Sequence, residues 1–234
     1  MKKKRLLIIP SKGFSKRIKN KNTKIFFGKP IISYSLNVAY QSKLFKKIHV
    51  STESFRVKKI IEKLGYNIDF MRPKKLSKKN TPIIDVLRFV VNFYEVKMKE
   101  YYDEIWLLSA CAPLLKKSDL IKASRQIKKN KVLLTVARYG APIEWAFKMN
   151  KNRFLKAYDE KKLSINSQLF PKQYHDAGAF AIFSRDNLLN KNFNYNNNSI
   201  GYELPRSRGI DIDDIDDWKL IELLYKVLKK NRYE

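Results

Sequence analysis

Short, nearly continuous apolar runs recur along the chain, each bounded by polar or turn-forming residues. Those at residues 6–10, 48–51, 68–71, 105–109 and 132–137 have the length and composition of strands buried on both faces. Between them the apolar period changes to that of a helix, at about 31–42, 54–64, 82–98 and 118–129. Pro30 and Pro82 stand where a first helical turn tolerates proline, and Ser118 with Asp119 offers a cap. Strand and helix alternating four times predict a mostly parallel sheet covered on both faces, a doubly wound α/β domain. The pattern changes after residue 138. Residues 139–175 carry strand-like pieces around a turn at 150–152, which predicts a hairpin arm or insertion within a single domain spanning 1–234. A core strand returns at 179–184, and an Asn-rich stretch at 190–198 reads as a surface loop. The last helix begins near Asp214 and places Ile215, Trp218, Ile221, Leu224 and Leu228 on one face.

Composition narrows the class. With 44% hydrophobic residues among 234, the chain can bury a real core. No apolar run approaches a bilayer span, so no membrane partner is expected. The basic start is followed by only about five apolar residues, too few for a secretory signal, and a cytoplasmic location is expected. Cys111 stands alone, which excludes an internal disulfide and most cysteine–metal schemes.

The formal net charge of +28 has two readings. Lys and Arg that neutralise phosphates would suit a nucleic acid. Alternatively the excess is compositional: 38 of the 50 basic residues are Lys, 18 residues are Asn, and all of these have A/T-rich codons. The Lys pairs are scattered over almost every segment rather than gathered in a stripe, which favours the second reading and no nucleic-acid partner. Residues 211–217, DIDDIDD, run against the trend: five of the 22 acidic residues fall within seven positions. That clustering needs a local cause.

In an open α/β sheet ligands bind beyond the carboxyl ends of the strands. The loop after the first strand reads IIPSKGFSKRIKNKN over residues 8–22. Gly13 permits a tight turn, Ser15 can donate a hydrogen bond, and Lys12, Lys16, Arg17 and Lys21 can surround a polyphosphate. The spacing of a Walker loop is absent. The order of the residues says more than their charge. Pro10, Gly13, Ser15, Lys16, Arg17, Ile18, Lys21 and Asn22 stand in register with IPARGGSKRIPRKN, so the segment resembles the N-terminal motif of the acylneuraminate cytidylyltransferases, which make CMP-sialic acids. The resemblance continues through GKPIISYSLNVAYQSKLFKKIHVSTES and through Arg72, Pro73 and Leu76 to Asp85 and Val86. Ala110-Cys111-Ala112-Pro113, and Ser167-Gln168 followed by YHDAGAF, are similar to the branch acting on pseudaminic acid.

What the resemblance implies is a Rossmann-like nucleotidyltransferase that transfers CMP from CTP to the anomeric hydroxyl of a nine-carbon acidic sugar and releases pyrophosphate. Pseudaminic acid is the expected acceptor, with N-acetylneuraminate, legionaminate or another keto-acid sugar as the alternative. Lys12, Ser15, Lys16 and Lys21 would hold the triphosphate and stabilise the leaving group, with Pro10 and Gly13 shaping the loop. Asn22 would place the ribose or phosphate, and Arg72 would face the cytosine edge. Asp211-Ile212-Asp213 matches the family's DIDxxxD signature; on a strand the two carboxylates would share a side and could hold Mg²⁺ with the substrate phosphates, whereas simple capping is the other reading. Asp214, Asp216 and Asp217 would interact with the dipole of the last helix. Arg206 and Arg208 suit a sugar carboxylate, or else compensate the neighbouring aspartates. Gln168, His175 and Asp176 lie in the branch-specific segment and would contact the sugar, while a structural role for His175 stays open. The aromatic residues of the arm, Phe147, Phe154 and Tyr158, would pack against a second copy in a homodimer rather than stack on nucleic acid.

Four positions depart from the family pattern: Lys12 for an arginine, Phe14 for a second glycine, Asn80 for an acidic residue and Asn166 for an arginine. The first keeps charge but loses a bidentate fork, and the second puts bulk where backbone freedom is usual. A slow or catalytically degenerate relative is the reading those departures would favour.

Overall fold

The computed structural model describes residues 3–195 and 197–230. The chain runs through β1 (Arg5–Pro10), the small hairpin β2 (Ile25–Phe26) and β3 (Lys29–Pro30), and α1 (Ile32–Ser42). It continues with β4 (Lys47–Ser51), α2 (Phe55–Lys63), α3 (Ile83–Phe93), β5 (Glu104–Leu108), α4 (Lys117–Gln126) and β6 (Val132–Arg138). A second hairpin, β7 (Phe147–Met149) with β8 (Leu155–Ala157), precedes β9 (Tyr174–Ser184), α5 (Arg185–Leu189), β10 (Ser199–Leu204) and α6 (Ile215–Lys230). The six long strands form one sheet in the order β10-β6-β9-β5-β1-β4. Neighbours pair in parallel except at β9, which runs antiparallel to both β5 and β6.

The alternation within β1 shows why the sheet is covered twice. Leu7 and Ile9 enter a core shared with α1, α2, α4 and α6, whereas Leu6 and Ile8 enter one shared with α3 and α5. The predicted α/β architecture is therefore present, and four of the five early strands are where the apolar runs place them. Residues 68–71 are the exception. Ile68 and Phe70 are buried, one in each core, but the segment joins no ladder. Its burial comes from filling gaps beside β4, the sheet's edge strand, and an apolar run alone does not tell these two kinds of burial apart.

Two further differences concern the C-terminal third. β10 pairs with β6 although its sequence, SIGYEL, has no continuous apolar run; only Tyr202 and Leu204 are buried, as suits an edge strand. On α6, Trp218 and Ile221 face the core with Leu224 and Leu228 packed against it, but Ile215 is 47% exposed at the helix start.

β9 is also longer than residues 179–184. Its ladder with β6 jumps from Ala181 opposite Leu134 to Asp176 opposite Val136, leaving residues 177–180 as a wide bulge. Thr135 fills it: Oγ1 donates to the Phe180 carbonyl at 2.9 Å and accepts the Ala179 and Phe180 N–H groups at 3.2 and 3.1 Å. Gly178, at φ 61, makes the turn.

His49 lies in the core between β4 and α3, stacked on Phe70 at 4.4 Å and hydrogen-bonded through Nδ1 to Tyr94, while Nε2 has no partner. Burial lowers its pKa to about 4; Asp69 opposes the shift, and Lys47 and Arg72 add to it. The unfolded chain takes up this proton near pH 6.5 and the folded one near 4, so stability is full above the first value and falls as pH drops between them. The loss amounts to about 3 kcal/mol at pH 4. Urea titrations from pH 7.5 to 4.5 are expected to show this fall in the wild type and a flatter profile in His49→Phe; parallel profiles would refute it.

Candidate active site

Sheet topology gathers distant segments at one edge. β1, β4, β5, β6 and β10 all end there, and β9, running the other way, begins there. The loop 11–22, residues 52–54, 109–113, 139–142 and 205–214, and the start of β9 therefore share the carboxyl edge.

The loop after β1 carries the cations. Ile18 is its buried anchor, whereas Lys16 and Arg17 are exposed and Phe14 is 67% exposed, outside any core. Lys12 Nζ donates to the Lys78 carbonyl at 3.0 Å, and Asn22 Nδ2 reaches the Lys12 carbonyl at 3.5 Å. Lys21 is half-buried; its ammonium donates to the Ile212 carbonyl and lies 3.9 Å from Asp213. Arg17 Nη2 reaches Asp213 Oδ1 at 2.7 Å. The first loop and the acidic run, about 190 residues apart in sequence, are thus fastened to each other.

Residues 205–214 form no strand, so Asp211 and Asp213 are not aligned by strand alternation. Tertiary contacts set them instead. Asp211 sits over the bulge of β9, so close that a Cβ on Gly178 would come 3.1 Å from Oδ2. It lines a cavity with Ser109, Cys111, Gly178 and Arg208. Burial raises the Asp211 pKa, Asp213 and Asp176 raise it further, and Lys21 opposes them. A carboxylate that feels the charge of two others favours a cation nearby, and its hard oxygens suit a divalent one. Asp213 keeps Oδ2 outside its contact with Arg17. Among the described residues no group of three or more His, Cys, Asp or Glu side chains stands close enough to hold a metal ion. Asp214 and Asp217 cap α6: Asp217 Oδ2 accepts the N–H groups of residues 213 and 214, and Asp214 Oδ1 those of 216 and 217.

The remaining candidates divide into two groups. Arg208 borders the same cavity as Asp211, but both its terminal nitrogens bond the buried carboxylate of Asp119, which Tyr202 also contacts at 3.2 Å. Asp119 additionally caps α4 by accepting the Lys116 N–H at 2.8 Å. Arg206 is exposed and lies against Gly140. Gln168, on the short helical turn Ser167–Leu169, lines a separate cleft with Tyr139, Gly140, Pro171 and Gln173. His175 packs its ring on Tyr139 at 5.1 Å, and Asp176 Oδ1 accepts the Gly178 N–H at 2.8 Å. Arg206, Gln168 and His175 therefore gather near Tyr139 and Gly140.

Arg72 is 3% exposed. Its Nε donates to Ser77 Oγ and its Nη2 to Glu53 Oε2, each at 2.9 Å, while the buried Nη1 has no partner. Cys111 is buried, with Sγ 3.4 Å from Asn22 Oδ1; burial pushes its thiol up to about 12, so it is no nucleophile. Glu53, Arg56 and Asp119 belong to this region and are not among the sequence candidates. The first follows a recognised Ser-Thr pair directly, and the last reads from sequence as a helix cap alone.

The family model for cytidylyltransferases matches residues 6–229. The chain belongs to the cytidylyltransferase family. Its relatives include the pseudaminic acid cytidylyltransferase of Campylobacter jejuni subsp. jejuni serotype O:2, 35% identical over 96% of this chain and 97% of that one. The N-acylneuraminate cytidylyltransferase of Escherichia coli O18:K1:H7 is 26% identical, covering 99% of this chain and 54% of its own length. Among solved structures, CMP:2-keto-3-deoxy-manno-octonic acid synthetase complexed with CTP superposes with a TM-score of 0.70 at 17% identity, over 95% of this chain and 98% of that one, which shows a shared fold. Of the departures in this cytidylyltransferase, Lys12 donates to the Lys78 carbonyl and Phe14 is exposed, outside any core.

Proposed function

We propose that this enzyme transfers CMP from CTP to the anomeric hydroxyl of a nonulosonic acid, with pseudaminic acid as the acceptor. The observation that supports the reading is the fastening of the basic loop to residues 211–213, through Arg17 to Asp213 and Lys21 to the Ile212 carbonyl. The hydroxyl oxygen attacks the α-phosphorus as the bond from that phosphorus to the α,β-bridging oxygen breaks, the hydroxyl proton passes to water, and pyrophosphate leaves with the bridging oxygen. Lys12, Ser15, Lys16 and Lys21 hold the triphosphate and neutralise the departing charge. Asn22 orients the ribose, and Arg72 faces the cytosine edge with Nη1, the guanidinium nitrogen that has no protein partner. Asp211 and Asp213 would hold Mg²⁺, which supplies charge neutralisation at the phosphates. Arg208, whose Nε takes no part in the Asp119 pair, and Arg206 receive the sugar carboxylate, with Gln168, His175 and Asp176 nearby.

The acceptor assignment is supported by the 35% identity to a pseudaminic acid enzyme and by the Ala110–Pro113 and YHDAGAF segments. The test is pyrophosphate release from CTP and Mg²⁺ with a panel of acids: pseudaminic, legionaminic and N-acetylneuraminic. The highest kcat/KM is expected for pseudaminic acid. Preference for another member corrects the acceptor, and no release with any of them refutes the chemistry.

The arm supports a homodimer. Among the described residues, 11 of the 24 exposed large apolar side chains lie within residues 139–175, Phe147, Phe154 and Tyr158 included. A second copy would cover them. A solution mass of 27.7 kDa rather than twice that value would remove this part of the proposal.

A further inference from the structure

The loop that carries Lys12, Ser15 and Lys16 has little internal fastening. Among the described residues, no backbone–backbone hydrogen bond involves residues 12–17; the nearest are Ser11 N–H to Ser51 and Lys21 N–H to Ile18. Gly13 is instead gripped from both sides by the segment that opens α2. Its N–H donates to Glu53 Oε1 at 2.8 Å, and its carbonyl accepts from Arg56 Nη2 at 3.0 Å. A side chain at this position would collide with Ser54, the residue that caps α2. Arg56 goes on to bond Asn20 Oδ1 at 2.9 Å and Thr23 Oγ1 at 3.0 Å, closing the far end of the loop.

Glu53 has a second attachment. Its Oε2 accepts from Ser77 at 2.7 Å and from Arg72 Nη2 at 2.9 Å. Burial opposes the charge on Glu53, yet the hydrogen bonds from Ser77 and Gly13 and the nearby Arg72 prevail, and its carboxyl is held below the usual range. One carboxylate thus connects the phosphate loop to Arg72.

We infer that Glu53 and Arg56 are positioning residues for nucleotide binding. They fix the Gly13 peptide, and with it the direction in which Lys12, Ser15 and Lys16 leave the backbone; through Glu53 the loop and Arg72 are held as one unit. Arg56 is not itself a phosphate ligand in this arrangement, because its fork is committed to three protein acceptors. Preorganisation explains the expenditure: a loop already ordered binds its anion without ordering it at the moment of binding. The inference rests on the reading of residues 10–22 as the triphosphate site.

The test is calorimetric binding of CTP to the full chain, with steady-state kinetics, for wild type, Arg56→Ala, Arg56→Lys and Glu53→Gln. Arg56→Ala is expected to raise Kd and KM for CTP about tenfold, as loss of charge-assisted bonds that order a site would, with the acceptor KM within twofold of wild type. Arg56→Lys should recover part of the loss, and Glu53→Gln should equal or exceed that of Arg56→Ala. Because Arg56 lies at the surface, its variants decide the matter even if Glu53→Gln fails to fold. Unchanged CTP affinity in folded Arg56→Ala, with only the melting temperature reduced, overturns the inference and leaves the triphosphate site standing. Failure of the wild type to bind CTP overturns both.

Discussion

Asp211→Asn is expected to lower kcat by about two to three orders of magnitude, the range seen when a preorganised charge that acts on the transition state is removed. The same variant should melt at an equal or higher temperature than the wild type. Burial and the nearby Asp213 and Asp176 carboxylates all disfavour the Asp211 charge in the folded chain, so a neutral isostere relieves repulsion. The combination of lost turnover with retained or improved stability separates a functional carboxylate from a structural one. Pyrophosphate release at saturating CTP, acceptor and Mg²⁺ measures the first, and differential scanning calorimetry the second. Binding of Mn²⁺ in the presence of CTP, followed by electron paramagnetic resonance, should weaken in parallel. Activity within twofold of wild type would remove Asp211 from the site. Asp213→Asn should differ by also raising the CTP KM, because Asp213 fastens Arg17 of the first loop at 2.7 Å.

Arg208→Ala is expected to destabilise the fold by about 3–5 kcal/mol, because it strands the Asp119 carboxylate without its counter-charge. Asp119 is 4% exposed, and its remaining partners are the Tyr202 hydroxyl and the Lys116 N–H. Urea unfolding measures the loss; a change below about 1 kcal/mol, the size typical of a surface pair, would show that the carboxylate finds water. Stability and acceptor binding can then be separated. In the double variant Arg208→Met with Asp119→Leu, the buried pair is replaced by apolar groups, which should restore most of the stability. The acceptor KM should remain raised if Arg208 receives the sugar carboxylate. Recovery of both would confine Arg208 to structure and leave Arg206 as the cation available to the acceptor.

Asp119 illustrates where the chain's own pattern stops being informative. Two residues into a helix, it reads as a cap, and it is one. That it also neutralises an arginine 89 positions away follows only from α4 and the end of β10 meeting at the carboxyl edge. Glu53 is similar: its place in the matched VSTES segment says nothing of its partners, yet it joins Gly13, Ser77 and Arg72.

By itself the sequence determined the βα alternation, the strand that leads into the basic loop, and the order of residues through which the family is recognisable. These are local signals: side-chain period, run length and residue spacing act within a few turns of chain. Tertiary structure alone decided the reversal of β9, the bulge that seats Asp211, the pairing of β10 with β6, and the burial of residues 68–71 without a strand. It also decided, among the described residues, which cations meet a protein carboxylate or carbonyl and which remain for a ligand. The physical reason is that pairing partners lie tens to hundreds of residues apart, and the energy that selects between them depends on distance in space. The +28 charge is consequently uninformative as a sum, whereas Arg17 and Lys21 meet residues 212 and 213 only because the sheet has brought both segments to one edge.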